Sequence, residues 1–252
     1  MKKIFIAGAT GSMGKQVVKL VAKQDDCQLV GVMSPSAIDS NDFNSKIARF
    51  TNLKDIDLDA DIWIDFTVPQ TVFENTKFAL KHQMRPIIGT SGLSTKQTQQ
   101  LQQIAQENKI GGIIAPNFGL SAVLLMKFAQ EAAKYFPQAE VIEMHHADKL
   151  DAPSATAITT AQLIAASRKK PTSPLTDQQS TARGANYDGI PVHSVRLPGY
   201  VAHEQVLFGG PGEALTIRQD SFNRSSFMQG VQVALDQVMN LNKLIVGLEK
   251  LL

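Results

Sequence analysis

Lys3-Ile4-Phe5-Ile6-Ala7-Gly8-Ala9-Thr10-Gly11-Ser12-Met13-Gly14 is the stretch that decides the fold. Residues 3–7 form a short apolar run of the kind that makes a buried strand. Val17, Val18, Val21 and Ala22 then follow at helical spacing. A strand, a glycine-rich turn and a helix open a βαβ unit. In that setting the glycines permit a tight turn and bring the backbone close to a dinucleotide pyrophosphate at the helix N-terminus. The spacing is GxxGxxG, looser than the GxGxxG fingerprint, so the position between strand and helix carries the reading. Gly8, Ala9, Thr10, Gly11, Ser12, Met13 and Gly14 are therefore the expected dinucleotide contacts.

The alternation continues outward from this loop. Gln28–Met33, Ile62–Phe66, Arg85–Gly89 and Gly112–Ala115 read as strands. Amphipathic or polar helical stretches, Gln70–Lys81 and Ser94–Asn108, lie among them. This pattern predicts a Rossmann-type, doubly wound parallel sheet with right-handed crossovers. After Asn117 the pattern changes. A long helix over Ser121–Tyr135 leads into a strand over Ala139–His146, and a short helix begins near Pro153. Ser167–Gly189, with Pro171 and Pro174, reads as a polar loop. Val192–Leu197, His203–Phe208 and Ala214–Gln219 are strands separated by turns, which predicts a mixed or antiparallel sheet in a second, α+β domain. Residues 1–116 are thus expected to form the dinucleotide-binding domain and 117–224 a substrate-binding and oligomerisation domain. A C-terminal helix over 225–252 is expected to return to the first domain.

Composition narrows the classes. With 43% hydrophobic and 19% charged residues, the 252-residue chain is ordinary for a globular protein. A net charge of +2, with no long basic run or aromatic stacking stripe, argues against nucleic acid as a partner. One cysteine, Cys27, excludes a disulfide framework or a four-cysteine zinc site and suits a reducing cytoplasm. The apolar start breaks at Gly8, too early for a signal peptide, and no apolar run approaches the roughly eighteen residues of a membrane span.

The second strand is followed by Met33-Ser34-Pro35-Ser36, where an acidic residue would select an unphosphorylated ribose. Ser34, with Lys15 nearby, tolerates a 2′-phosphate instead. The cofactor is expected to be NADPH or NADH, with NADPH used at least as well.

The densest chemistry lies in Glu143-Met144-His145-His146-Ala147-Asp148-Lys149-Leu150-Asp151-Ala152-Pro153-Ser154-Ala155-Thr156-Ala157. Two of the five histidines sit at a strand end, just before a lysine and the start of a helix. The first amides of a helix have no partner within it. Those of Ser154, Ala155 and Thr156, with Lys149 beside them, are expected to hold a carboxylate. Histidine transfers protons near neutral pH. Neighbouring strand residues face opposite ways, so His145 and His146 have different jobs. With neither an HExxH motif nor a cysteine partner, no metal site is expected. His82, His193 and His203 lack such company and are assigned surface or structural roles.

On these residues the chain resembles the 4-hydroxy-tetrahydrodipicolinate (dihydrodipicolinate) reductase family. The similarity runs through the early GATGSMG, Asp65-Phe66-Thr67, Gly89-Thr90-Ser91-Gly92, Ala115-Pro116-Asn117-Phe118, the His145–Thr156 segment and Arg224. It implies hydride transfer from NAD(P)H to a hydroxylated cyclic imine dicarboxylate of the diaminopimelate–lysine pathway, with loss of water. It further implies that His145 is the acid/base histidine and Lys149 the proton donor. His146 would bind substrate, and Ala155 and Thr156 would hold a carboxylate. Gly89, Thr90, Ser91 and Ala115, Pro116, Asn117, Phe118 would line the nicotinamide and its ribose. Arg224 would lie near the domain hinge, and the protein would be a homotetramer built through the second domain's sheet. The family's glycine before Thr156 is Ala155 here, which fits if that position has helical φ and is costly if φ is positive.

Two dehydrogenase rivals fail on the residues. A short-chain dehydrogenase needs Tyr and Lys four apart, but Tyr135, Tyr187 and Tyr200 are followed there by Ala139, Pro191 and Glu204. A semialdehyde dehydrogenase needs a cysteine nucleophile, and Cys27 precedes the second strand. A catalytically silent NAD(P)-binding redox sensor is the alternative from another class, and intact His145, His146 and Lys149 count against it.

Overall fold

The computed structural model describes residues 1–35, 43–169 and 181–252. They form two compact units, Met1–Phe118 with Phe227–Leu252, and Gly119–Ser226.

The first unit is built on a seven-stranded sheet. Its strands are β1 (Lys2–Ala7), β2 (Cys27–Met33), β3 (Ala48–Phe50), β4 (Ile62–Asp65), β5 (Arg85–Ile88), β6 (Gly112–Ile114) and the last strand of the chain, β12 (Leu244–Val246). The order is β12-β6-β5-β4-β1-β2-β3, and every pairing is parallel. Such strands are buried on both faces, which explains their near-continuous apolar runs. Phe5, Ala7 and Trp63 pack under α2 (Val72–Lys81) and α3 (Thr95–Glu107). The Phe5 and Trp63 rings stack at 4.5 Å. Ile4 and Ile6, also fully buried, point to the other face. There α1 (Ser12–Val21) packs with α6 (Met228–Gln237). The strand order reverses between β1 and β4, so the ligand crevice of a doubly wound sheet belongs at the carboxyl ends of these two strands.

The C-terminal helix expected over 225–252 is corrected by the structure. The helix α6 is ten residues long and is followed by a 3-10 turn, then by β12 beside β6. Leu244-Ile245-Val246 is a β-favouring run, and pairing it with β6 covers what would be an open edge. Three-residue strands such as β3 carry too little periodicity to be read from sequence.

The second unit has a five-stranded sheet in the order β11-β10-β7-β9-β8. These strands are β7 (Gln138–His145), β8 (Ala185–Tyr187), β9 (Ile190–Arg196), β10 (Ala202–Gly210) and β11 (Glu213–Ser221). Pairings are antiparallel except β7 with β9. That exception is the βαβ crossover through α5 (Ala155–Ser167), longer than the short helix expected there. With α4 (Leu120–Ala133), α5 covers one face of the sheet over Val141, Val192, Val206 and Phe208. The polar loop expected over Ser167–Gly189 contains β8, and its residues 170–180, including Pro171 and Pro174, lie outside the described ones. Among the described residues no helix is long and apolar enough to cross a membrane.

Candidate active site

Each unit carries its own constellation. In the first, the chain leaves β1 through Gly8, whose φ of +80° is a left-handed conformation that glycine adopts without strain. A Cβ there would meet the Phe66 carbonyl oxygen at 2.4 Å, and one at Gly14 would meet the Gly8 oxygen at 2.0 Å. The turn therefore presses the start of α1 onto β1, leaving no room for a side chain. Gly11 is the N-cap and supplies no side-chain cap, and the first turn of α1 holds no acidic residue. The opening amides of Ser12, Met13 and Gly14 sit at the positive end of the helix. A cleft of about 810 Å³ opens at this point, lined by Gly8, Thr10, Gly11, Ser34, Phe66 and Thr67 among others. These features fit a nicotinamide dinucleotide: a backbone cradle, a helix N-terminus for the pyrophosphate, and a cleft at the switch point.

Ser34 is buried, and its hydroxyl lies 2.6 Å from that of Thr10. Lys15 lines a separate cavity of about 280 Å³ beside Ala9 and Thr10, not the larger cleft. Lys54, Asp55 and Glu74 of the larger cleft escaped sequence reasoning. Phe66 abuts Gly89, where a Cβ would meet its ring at 2.2 Å, and its ring centroid lies 5.8 Å from that of Phe118. Ala115 is buried, while Ser91 and Pro116 are exposed and Asn117 is half-buried. Asp65, fully buried at the end of β4, organises this region. Its carboxylate accepts from the Thr90 hydroxyl at 2.7 Å, the Thr67 hydroxyl at 2.6 Å, Asn75 at 2.9 Å and the Trp63 indole at 3.3 Å. Asp65 thereby ties the Gly89–Ser91 loop to β4 and α2.

In the second unit, His145 ends β7 and its Nδ1 lies 2.5 Å from Oε2 of Glu143. Residues two apart on a strand share a face, which is why these two meet. Glu143 is fully buried, and Arg196 of β9 grips both its oxygens, Nη1 to Oε2 at 2.8 Å and Nη2 to Oε1 at 2.7 Å. Arg196 stands opposite His145 in the β7–β9 register. Burial pushes the Glu143 carboxyl up, but hydrogen bonds from His145, Arg196 and Ser194 outweigh it and hold the carboxyl at about 2. Glu143 is therefore an anion, Nδ1 of His145 carries a hydrogen to donate to it, and Nε2 is the nitrogen left for chemistry.

Arg196 also donates to the Asp151 carbonyl at 2.7 Å, anchoring the segment that bears Lys149. The Lys149 ammonium sits 2.6 Å from Asp151 Oδ1 and holds that carboxyl below its ordinary range. His146 faces solvent and pairs with Asp148 at 2.6 Å. Ser154 caps α5, its hydroxyl accepting from the Ala157 amide. Its own amide donates to Glu143 Oε1 at 3.2 Å, so that amide does not point outward as the sequence suggested. Ala155 opens α5 and is not among the residues with positive φ, so the alanine fits its position. Thr156 follows in the same turn. Arg224 is exposed, in a short 3-10 helix where the chain leaves the second unit. Of the other histidines, His82 is exposed, His193 is half-buried and bonded to Glu140 at 2.8 Å, and His203 is buried and bonded to Asp220 at 2.6 Å.

Comparison with known proteins agrees along the whole chain. Residues 2–118 match the model of the dihydrodipicolinate reductase N-terminus, and residues 121–252 that of its C-terminus. A 4-hydroxy-tetrahydrodipicolinate reductase of Lactobacillus acidophilus is 58% identical, covering 100% of this chain and 98% of the relative. One from Lactiplantibacillus plantarum is 52% identical and covers 100% of both. The solved structure of a dipicolinate-bound dihydrodipicolinate reductase from Paenisporosarcina sp. TG-14 is 45% identical, with a TM-score of 0.89 over 100% of both chains. A probable dehydrogenase from Thermotoga maritima, 11% identical at a TM-score of 0.67, shares the fold alone.

Proposed function

This chain belongs to the dihydrodipicolinate reductase family, and from that membership we propose how its residues divide the family's reaction. It is an oxidoreductase that uses NAD(P)H to convert 4-hydroxy-tetrahydrodipicolinate to tetrahydrodipicolinate, a step of diaminopimelate and lysine biosynthesis. The nicotinamide, when bound, supplies the hydride. Gly8–Gly14 hold the pyrophosphate, and Gly89–Ser91 with Ala115–Phe118 line the nicotinamide end. Asp65 fixes the Thr90 loop against the strand it follows.

The proton chemistry belongs to the second unit. Glu143 and Arg196 lock the imidazole of His145 so that its Nε2 is the proton-handling atom, and Lys149 supplies the proton that balances hydride addition. The amides of Ala155 and Thr156, at the N-terminus of α5, hold one substrate carboxylate, with Lys149 and His146 contributing charge and hydrogen bonds. The hydroxyl of the substrate leaves as water. The single observation that carries this reading is the Glu143–Arg196 clamp on His145, which is costly to bury unless the histidine's orientation matters.

NADPH serves at least as well as NADH, because Met33-Ser34-Pro35 offers no carboxylate where the adenosine ribose is expected. The sheet face of the second unit not covered by α4 and α5 bears half-buried Ile142 and Leu207 and supports assembly into a homotetramer. A biosynthetic role and a lone buried cysteine favour the cytoplasm. A coupled assay with the synthase that makes the substrate, run with NADH and NADPH in parallel, tests the proposal. Turnover with both is expected. Binding of either nucleotide without turnover would favour a silent sensor, and a strong NADH preference would overturn the cofactor reading.

A further inference from the structure

Glu204 has no part in the reaction as described, yet it is 2% exposed and sits in β10 directly opposite Glu143 of β7. Directly opposed residues of an antiparallel pair share a sheet face, their Cβ atoms roughly 4.5–5.5 Å apart. Two buried carboxyl groups thus lie side by side beneath His145. They are unequally served. Glu143 is bonded by His145, Arg196 and the Ser154 amide, whereas Oε1 of Glu204 has no hydrogen-bond partner among the described residues.

The elements around Glu204 supply no cation of its own. Across from it on β11 stands Gln219, whose amide is spent on the Ala202 carbonyl and whose oxygen accepts from Ser121 and Ser221. Above it, α5 carries no charged residue and offers Thr160, fully buried and hydrogen-bonded to it. The one hydroxyl hydrogen of Thr160 is shared with the Thr156 carbonyl at 3.0 Å, so it gives an ionised Glu204 only weak support. The charged residues of α4, Lys127 and Glu131, are exposed, and His203 and Asp220 bond each other from neighbouring positions on the opposite face. Arg196 stands on β9, beyond β7 from Glu204, and spends both terminal nitrogens on Glu143.

We propose that Glu204 is a positioning residue that works protonated, a neutral neighbour that leaves Glu143 the sole anion clamping His145. Two ionised carboxylates at this spacing would repel, displacing Glu143 from the geometry that holds the imidazole. Burial pushes the Glu204 carboxyl up to about 7, and the charge of Glu143 adds to the push against the Thr160 hydrogen bond. The structure therefore holds a proton here that the unfolded chain releases near 4.5. With the native state binding the extra proton, stability falls as pH rises through that window. Activity falls with it as Glu204 ionises.

The inference rests on the role assigned to His145, and the test separates the two. Full-length wild-type protein and Glu204→Gln, which mimics the neutral carboxyl, are unfolded in urea from pH 5 to 8. Their His145 ring resonances and kcat are followed over pH 6 to 8.5. The wild-type unfolding midpoint is expected to fall relative to the variant as pH rises. The His145 ring resonances of wild type and variant are expected to diverge as pH rises, and the ratio of wild-type to variant kcat should drop several-fold. Parallel midpoints at every pH, or His145 resonances that follow the same course in both proteins, would overturn the proposal. If the midpoints diverge but the kcat ratio stays flat, the positioning role of Glu204 is refuted, while the role of His145, read separately from His145→Ala, is untouched. Glu204→Leu, which also removes the charge, gives the same comparison if the glutamine variant does not fold.

Discussion

The glycine loop of the first unit and the His145 clamp of the second solve binding in opposite ways. The loop is made of backbone: Gly8 and Gly14 matter because nothing projects from them. The clamp is made of side chains from β7 and β9, joined by one amide from the start of α5. The first is local in sequence, so its spacing announces it. The second depends on a register between strands some fifty residues apart, so half of it is silent until the sheet is assembled.

Substitutions should respect that division, and the largest effect belongs to the clamp. Glu143→Gln leaves Arg196 without its anion and His145 without its orienting acceptor. Turnover is expected to fall roughly 10²–10⁴-fold, and urea unfolding should register a loss of roughly 3–5 kcal/mol. NADPH affinity, measured by fluorescence titration, should stay put. A matching loss of NADPH affinity would break the comparison.

Gly14→Ala is the converse test. Its Cβ would sit 2.0 Å from the Gly8 oxygen, so the turn must shift. The dissociation constant for NADPH is expected to rise about 10²-fold, while the KM for 4-hydroxy-tetrahydrodipicolinate at saturating NADPH is expected to change little.

The pH dependence of stability sharpens the same contrast. Glu143 has its carboxyl depressed from 4.5 to about 2, so its stabilisation is complete above the unfolded value and is lost as pH falls toward the folded one. That difference is worth roughly 3 kcal/mol, and it should disappear from the acid limb in Glu143→Gln. Asp151→Asn should do least. Its pair with Lys149 is more than half exposed on the aspartate side, so the expected stability change is below about 1 kcal/mol. A several-fold rise in KM for the imine would be its main signature.

The same division explains what the sequence could tell. Alternating strands and helices were legible because buried parallel strands are apolar and short. The strand Leu244–Val246 was not, because its helix-like neighbours at 228–240 set the local pattern and only an open edge on β6 makes it a strand. His145 and Lys149 stood out by their crowding in one segment. Glu143 was in plain view, two residues before His145, and its position on the same strand face is the signal that points to it. Asp65 stood in a family motif without a role, and Arg196 and Glu204 had no local signal. Each matters through partners that folding brings to it.

The central claim is that His145 and Lys149 carry the proton chemistry of a reductase whose cofactor loop is built by the other unit of the chain. The most direct measurement is NADPH oxidation with 4-hydroxy-tetrahydrodipicolinate by wild-type protein and by the His145→Ala, Lys149→Ala double variant, with NADPH affinity determined for both. The account predicts that the double variant binds NADPH like the wild type and fails to oxidise it above background. Equal oxidation rates in the two proteins would contradict it.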